Sequence, residues 1–578
     1  LVLYLVTATR TVQGGDTAEF VTVATAGGVA HPPGYPLFLV LASLCAAVVP
    51  GPMAFRVTVA TILCAVGALF VLHRLVLRWT GDAVAAALAS GGLGVSFLFW
   101  HWSTVAEVLP GGALTTALVL AAALGSARGA TGGKQGLLVG LAAATGIANH
   151  HTVILLLPLC VFGWLAAVPR PRDLRGFAAT TAGATLGVLA GFLPYGLLMG
   201  AEGAWVWGDT ASLPGLLRHF LRADYGSFAI PHAGATGWWT HPAYYLRTVV
   251  TELGALAVLA PVGAAVGLGW RASHHGSDSG SAQWRERGLT AALLLSWLCA
   301  GPWLLSRFTY PTEGFFVAVV ERFHLQPNVL VAALGGLGVA WLRRLPLWSR
   351  PAVPTALLAV SVALLGLLNL PRADWSSNTV LEDFLRNALE SAEPNALLLT
   401  SGDAQTFGFV YAQEVLGIRP DVAAIAPGLL PHSWYRARLL ARHPDLVLER
   451  DGRVLPWIGV AALNPQRTVL VSPRLAGQAS EPLPLIPSMP FLAFVPPDAP
   501  IPGPAELEVG IRARLASFTL QSRVVSADEC RHSLECTTWD HYALVLEALS
   551  SGYAAAGRPD DAARVHALAT EFSPWLWE

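Results

Sequence analysis

The sequence predicts a polytopic α-helical membrane protein of about eleven spans, followed by an exported α/β domain that ends in a tetratricopeptide-like helix pair. Three observations predict it. Hydrophobic residues make up 54% of the 578 and charged residues 13%, about half the ~25% charged share of an ordinary soluble protein. Apolar runs of bilayer length recur up to about residue 370, and beyond it the chain turns rich in proline and charge. The formal net charge of −1 provides no basic surface for a nucleic-acid backbone and excludes that partner class.

The apolar stretches fall at 1–12 (incomplete), 53–73, 82–100, 109–126, 136–148, 151–168, 177–198, 246–270, 289–306, 324–342 and 353–370. The opening "LVLYLVTA" reads as the remainder of a trimmed first span, with no cleavable signal peptide and with residues missing before it. The stretches 136–148 and 151–168 are short and are split by "ANHH", which leaves open one long helix with a polar middle or two spans meeting at an interface. Lys134 is the single lysine, so orientation rests on arginine. Alternate loops hold Arg74 and Arg78; Arg128 and Lys134; Arg170, Arg172 and Arg175; Arg271, Arg285 and Arg287; and Arg343, Arg344 and Arg350. Those loops are expected in the cytoplasm. The opposite loops and everything after about residue 371 then face the exoplasmic side, which in a bacterial inner membrane is the periplasm.

That topology gathers the ionisable residues on one side. Asp16, Glu19 and His31 lie in the first outer loop (13–52), His101 and Glu107 in the second, His150 and His151 in the third, and Arg307, Glu313, Glu321 and Arg322 in the fifth. Ionisable groups near membrane depth are costly and mark a site by default. The i, i+3 spacing of Asp16 and Glu19 puts both carboxylates on one helix face, although Asp16 serves equally well as a plain helix N-cap. "HPPGYP" ends that helix, and "LFLVLASLCAAVV" reads as a helix at or dipping into the membrane surface. Bland alternatives stand beside the other candidates: His150 and His151 as interhelical hydrogen-bonders, Arg322 as the partner of Glu321 or Glu313, and His101, between Trp100 and Trp102, as part of an aromatic belt.

Beyond residue 371 the pattern is α/β. "NALLLTS", a helix over 403–417 and "DVAAIAP" read as strand, helix and strand, and "RTVLVSP" as a further buried strand, in a domain spanning 371–480. "SGDAQTF" lacks the glycine spacing and lysine of a phosphate loop and reads as a strand-to-helix turn. Residues 481–504 are expected to be a proline-rich linker, and 505–578 a helical region whose last part resembles one tetratricopeptide unit, too little for a solenoid and so packed on the α/β unit or on a partner. Cys45, Cys64, Cys160 and Cys299 lie in apolar stretches as small hydrophobes. Cys530 and Cys536, in a polar exported segment, are candidates for a disulfide.

The first-loop residues, together with "FWHWSTVAEVLPGGAL" (99–114), "GIANHHTVILLLP" (146–158), "WVWGDTASLPGLLRHFLRADYG" (205–226), "ERFHLQPNVLVAALGGLG" (321–338) and "LLLTSGDAQTFGFVYAQEVLGIRPDV" (398–422), resemble the bacterial protein O-mannosyltransferase-like family of the GT-C glycosyltransferase superfamily. The resemblance covers most of the chain through the order of its motifs: acidic first loop, His-Pro-Pro, Ala-Glu-Val, Asn-His-His. It implies a GT-C fold whose first outer loop presents an acid to a cavity open to the bilayer. It also implies a polyprenyl-phosphate sugar as donor, and a protein Ser/Thr or glycan hydroxyl as exoplasmic acceptor. Asp16 matches the acidic position and becomes the candidate base, with Glu19 beside it and Glu107 in the Ala-Glu-Val motif; Thr17 stands where the pattern usually has serine.

The chemistry asks for the same residue types. A hydroxyl is a poor nucleophile at neutral pH, and a carboxylate within reach accepts its proton. The departing lipid phosphate gains charge that His31, His101, His150, His151, Arg307 or Arg322 can bind. Inverting transfer by single displacement needs one base, whereas a two-step retaining route needs a second carboxylate as nucleophile. The sequence itself calls for no cofactor, and no H-E-x-x-H spacing signals a metal site. A secondary transporter or flippase is the rival class, weakened by the absence of matching halves; a non-catalytic membrane scaffold is the third.

Overall fold

The computed structural model describes residues 1–169, 173–225, 236–269, 280–345, 352–480, 483–496, 499–520 and 533–577. Among them five helices are long and apolar enough to cross a membrane: Met53–Thr80, Leu109–Ala127, Leu174–Leu198, Phe316–Arg343 and Thr355–Ala373. Two bent pairs raise the number to seven. The expected span 82–100 is broken by 66° between Ala83–Gly94 and Phe97–Ser103, and the expected span 246–270 by 106° between Thr240–Leu253 and Ala255–Gly267. The second break falls at Gly254, with φ 52 and ψ −126, a conformation that side chains other than hydrogen disfavour.

The remaining expected spans form shorter helices. Only Val2–Thr7 of the first is helical, and the helix Gly280–Leu298 runs into a π-turn at Cys299–Trp303 that contains Pro302. "ANHH" does separate two helices. Gly133–Asn149 ends at His150, whose backbone is extended (φ −158, ψ 136), and a 3-10 turn at His151–Leu156 then leads into Leu157–Ala166. The Phe316–Arg343 helix is central and largely buried, while Thr355–Ala373 lies on the periphery.

The arginine-bearing loops expected in the cytoplasm meet one another. Arg343 Nε donates to Asp82 Oδ2 at 2.9 Å, Arg128 to the Trp79 carbonyl at 2.7 Å and Arg285 to the Ser126 carbonyl at 3.1 Å. Arg170, Arg172, Arg271 and Arg350 lie outside the described residues. The first outer loop folds at the other end as a helix Thr17–Ala26, a two-residue strand β1 (Gly28–Val29) and a helix Pro36–Val48. β1 pairs in parallel with β2 (Trp205–Val206).

The part after residue 371 is built on five strands. β3 (Leu397–Leu399) lies between β4 (Ala423–Ile425) and β7 (Val469–Val471), parallel to both. A small hairpin of β5 (Glu449–Arg450) and β6 (Arg453–Val454) stands apart. The segment expected to be a proline-rich linker is corrected by β8 (Leu485–Ser488) and β9 (Phe491–Phe494), which extend the sheet to the order β4-β3-β7-β9-β8. Its apolar content explains this: Met489 and Phe491 are fully buried, and Pro487 sits on the edge strand β8, where a missing N–H costs no ladder bond. The last two helices, Cys536–Ala555 and Pro559–Phe572, form the expected pair, and the first of them packs on β8, β9 and the helix Val380–Glu390. Cys536 is disulfide-bonded; Cys530 lies outside the described residues.

Close packing in the bundle relies on small residues. Along Leu174–Phe192, Gly183 and Gly187 abut Gly133–Asn149 so tightly that an added Cβ would lie 2.0 Å from the Gly133 carbonyl oxygen and 2.3 Å from that of Leu137. Small residues at four-residue spacing let membrane helices approach backbone to backbone. Gly187→Leu is therefore expected to destabilise the detergent-solubilised protein by roughly 1–3 kcal/mol, read as a lower thermal midpoint. Gly112→Ala, whose added methyl meets nothing within 4 Å, should change it little.

Candidate active site

Asp16 occupies the N-cap position of the Thr17–Ala26 helix, but its side chain makes no capping hydrogen bond. It reaches Arg322 instead, Oδ2 to Nη1 at 2.9 Å. The same Nη1 donates to Glu107 Oε2 at 3.2 Å. Arg322 comes from a 3-10 turn, Arg322–His324, that interrupts the central helix. Glu107 is fixed in the second outer loop: its Oε1 accepts the Val108 N–H at 2.7 Å, and its backbone N–H and carbonyl both bond the Thr61 hydroxyl at 3.1 Å. One guanidinium thus ties two outer loops to the core of the bundle. Burial would raise Asp16, but Arg322 and His31 outweigh it and hold the carboxyl below its ordinary range. Burial wins at Glu107, which is raised despite Arg322. The two carboxyls are therefore differentiated, with Asp16 the more ionised.

Glu19 goes elsewhere. The spacing that suggested paired carboxylates instead divides them between two networks. Glu19 Oε1 accepts the His31 N–H and the Trp205 indole N–H, both at 2.8 Å, and Oε2 lies 2.5 Å from His31 Nδ1. His31 Nε2 meets the Tyr35 hydroxyl at 2.7 Å, and the Tyr35 ring stacks on His150. Trp205 is brought to Glu19 by the β1–β2 pairing. That pairing leaves no room beside Gly28, where an added Cβ would lie 1.8 Å from the Trp205 carbonyl oxygen.

A cavity of about 290 Å³ opens between this end of the bundle and the α/β domain. Asp16 and Arg322 line one side, Tyr310, Phe315 and Phe316 another, and Ser401, Gly402, Asp403, Gln405, Arg474 and His541 the side of the α/β domain. Asp403 is pushed up to about 6 by burial and by the neighbouring Asp16 carboxylate. Of the residues expected at the site, Asp16 and Arg322 line the cavity, and Glu107 supports Arg322. Glu19, His31 and His150 form the adjoining network.

The others are not brought there. His151 packs on Phe220. His101 is buried among Phe97, Trp102 and Trp375. Arg307 is exposed, and the second cation at the cavity is Arg474. Glu321, considered as the partner of Arg322, receives the Tyr244 hydroxyl. Sequence reasoning passed over Asp403 and Arg474; the available signal was their position just after buried parallel strands, where α/β sheets bind ligands. Among the described residues no group of three or more His, Cys, Asp and Glu side chains is placed to hold a metal ion.

Comparison with known proteins gives a consistent likeness. Residues 16–170 match the family model of the protein O-mannosyl-transferase TMEM260 N-terminal domain, and residues 381–444 that of TMEM260-associated domain 2. The mouse protein O-mannosyl-transferase TMEM260 is 31% identical over 462 residues, which are 76% of this chain and 63% of that protein. The Dictyostelium discoideum protein O-mannosyl-transferase tmem260 is 24% identical over 480 residues, 75% of this chain and 57% of its own length. The chain thus spans less than two thirds of either relative. The crystal structure of ArnT from Cupriavidus metallidurans in the apo state superposes with a TM-score of 0.54 at 12% identity, covering 87% of this chain and 97% of that one. The same protein bound to undecaprenyl phosphate gives 0.53 at 12% identity, covering 83% and 94%. The fold is that of ArnT.

The Glu19–His31 pair makes stability depend on pH. Burial pulls His31 down, but the carboxylates of Glu19 and Asp16 outweigh it and lift it from 6.5 to about 9. The folded protein therefore binds this proton more tightly than the unfolded chain. The stabilisation is complete below pH 6.5 and is lost as the pH rises through about 9. The thermal midpoint in detergent should fall across that window in the parent protein, and His31→Gln should flatten that part of the profile.

Proposed function

On the premise of kinship with the TMEM260 protein O-mannosyl-transferases and of a shared GT-C fold, we propose that this chain is a membrane glycosyltransferase. It takes a sugar, mannose by the name of its relatives, from a polyprenyl-phosphate donor and joins it to an exoplasmic hydroxyl, that of a protein Ser or Thr. The observation that carries this reading is Arg322 held between Asp16 and Glu107 at the edge of a cavity between the bundle and the exported domain. The lipid donor gains support from ArnT, which shares the fold and whose structure with undecaprenyl phosphate is known. The segregation of arginine-bearing loops to the opposite end supports an exoplasmic site in a cytoplasmic membrane.

In this reading the acceptor oxygen attacks the anomeric carbon while the bond from that carbon to the phosphate oxygen breaks, and its electron pair leaves with the polyprenyl phosphate. Asp16, ionised and at the cavity, takes the hydroxyl proton as the new bond forms. Arg322 lies beside it and offers a charged donor to the departing phosphate. Glu107 is a positioning residue that holds Arg322 from behind. Glu19 positions His31 and Trp205, with its oxygens already committed. The single inverting displacement, which needs only Asp16 as base, is the route favoured in this reading over one through a second, nucleophilic carboxylate.

Asp16→Asn keeps the shape and removes the base. Transfer from polyprenyl-phosphate mannose to a Ser/Thr peptide by the purified protein should drop by about 10²–10⁴-fold, and the protein should remain folded with a lowered thermal midpoint, because Arg322 keeps Glu107 but loses the charge of Asp16. Mass spectrometry of exported proteins from cells with and without the gene should show the corresponding glycan difference. Undiminished transfer by Asp16→Asn would remove Asp16 from the mechanism, and absence of any glycan difference together with no transfer in vitro would remove the transferase reading itself.

A further inference from the structure

The exported domain meets the membrane bundle at a particular point of its own fold. From β3 the chain passes through the helix Asp403–Glu414 to β4 on one side of the sheet, whereas β7 lies on the other side of β3. The segments that follow β3 and β7 therefore leave in different directions, and between their carboxyl ends is the crevice where open α/β sheets take ligands. Here that crevice faces the membrane bundle. Ser401, Gly402, Asp403 and Gln405, after β3, and Arg474, after β7, form the exported wall of the cavity that Asp16 and Arg322 line from below.

Most polar groups in this wall are already engaged. Gln405 Oε1 accepts the Ser401 N–H at 2.9 Å, Ser472 Oγ meets His541 Nε2 at 2.9 Å, His541 Nδ1 meets the Thr537 carbonyl at 2.7 Å, and Arg474 pairs with Asp540. The Asp403 carboxyl differs. It opens onto the cavity and makes no hydrogen bond or ion pair among the described residues, and Gly402, at φ 78, sets it at the start of its helix. Arg322 and Arg474, the two guanidiniums lining the cavity, each retain a buried Nε–H without an acceptor. The adjoining side is aromatic: Tyr310 stacks on Phe316 at 5.4 Å and 18°, and Phe315 on Phe316 at 4.2 Å and 30°. An open carboxylate accepts hydrogen bonds from hydroxyls, and ring faces pack against C–H surfaces. A second carboxylate close to Asp16 repels an anion. The ligand chemistry that suits all three is a neutral, hydroxyl-rich ring, and about 290 Å³ is at the small end of ligand pockets, room for one sugar ring and not for an oligosaccharide.

We propose that Asp403 is the sugar-binding carboxylate of the transfer site, accepting hydrogen bonds from hydroxyls of the monosaccharide that is transferred, so that the exported domain supplies one wall of the donor-sugar pocket. This rests on the transferase reading above and gives the exported domain a part in donor recognition. It also separates two acids by role: Asp16 receives the acceptor proton and Asp403 holds the ring.

The test uses the full chain in lipid nanodiscs with a short-chain polyprenyl-phosphate mannose and a Ser/Thr peptide, comparing the parent with Asp403→Ala and the near-isosteric Asp403→Asn. Loss of hydrogen bonds to a charged group should raise the KM for the donor about tenfold or more in Asp403→Ala, with the KM for the peptide unchanged. A series of mono-deoxy mannosyl donors adds a readout that a structural role would not move. One deoxy donor that the parent uses poorly should be used about as well as mannose, relative to it, by both variants. Thermal midpoints establish that the variants are folded, and Asp403→Asn alone decides the matter should Asp403→Ala fail to fold. Transfer by the parent with an unchanged donor KM and unchanged deoxy-donor penalties in the variants overturns this assignment alone. A change confined to the peptide KM does the same. No transfer by the parent from this donor overturns both this assignment and the reading on which it rests.

Discussion

The contact on which the rest depends is that of Arg322 with Asp16 and Glu107. A guanidinium largely buried at the end of an apolar bundle is costly to desolvate, and two carboxylates converge on the same nitrogen to hold it there. Removing either carboxylate leaves a buried charge less well compensated, so the first and second outer loops are tied to the central helix by the same interaction that gives the site its charge. The fork is also unequal. Two carboxylates share one cation in a buried setting, and Asp16, which also faces His31, is the one that keeps its charge. In the proposed transfer that inequality is what would let Asp16 act as the base and Glu107 as a support.

The second organising element is the interface between the segment 13–52 and the α/β domain. Glu19 gathers His31 and Trp205. The His31 ring stacks on Phe407 of the helix Asp403–Glu414, and Trp205 meets Phe407 and Trp434 while Arg438 lies over it. These aromatic contacts dock the helix Asp403–Glu414 on the helix Thr17–Ala26, and Asp403, at the start of the one, thereby faces the cavity with Asp16, at the start of the other. The cavity belongs to neither domain alone. A buried glutamate whose oxygens are all engaged is a means of holding this geometry, since any rearrangement would strand its charge.

Part of this arrangement is legible in the residues. Asp16, Glu107 and Arg322 were gathered on one side by the charge of alternate loops, and the structure brings the three within hydrogen-bonding distance. His150 and His31 were expected near them and lie one layer away, around Tyr35. Arg307 and His101 obeyed the same sidedness but are not at the cavity, because loop charge fixes an end of the bundle and not the direction of a side chain. The pairing of Asp16 with Glu19 failed for a related reason. Long-range partners separate the two, since Arg322 draws Asp16 to the cavity while His31 and Trp205 hold Glu19.

The sequence by itself determined what composition and periodicity control: a bundle of apolar helices, the end at which its polar loops collect, an α/β domain after residue 371 and a terminal helix pair. These are local properties, set by transfer free energies and by the patterning of neighbouring residues. Only the tertiary structure decided which acid meets Arg322, that β8 and β9 complete the sheet instead of forming a linker, and that the turn "SGDAQTF" forms a cavity wall opposite Asp16. Those outcomes depend on long-range docking, where a single open carboxyl or an added strand is fixed by what another part of the chain presents to it, and neither hydropathy nor spacing carries that information.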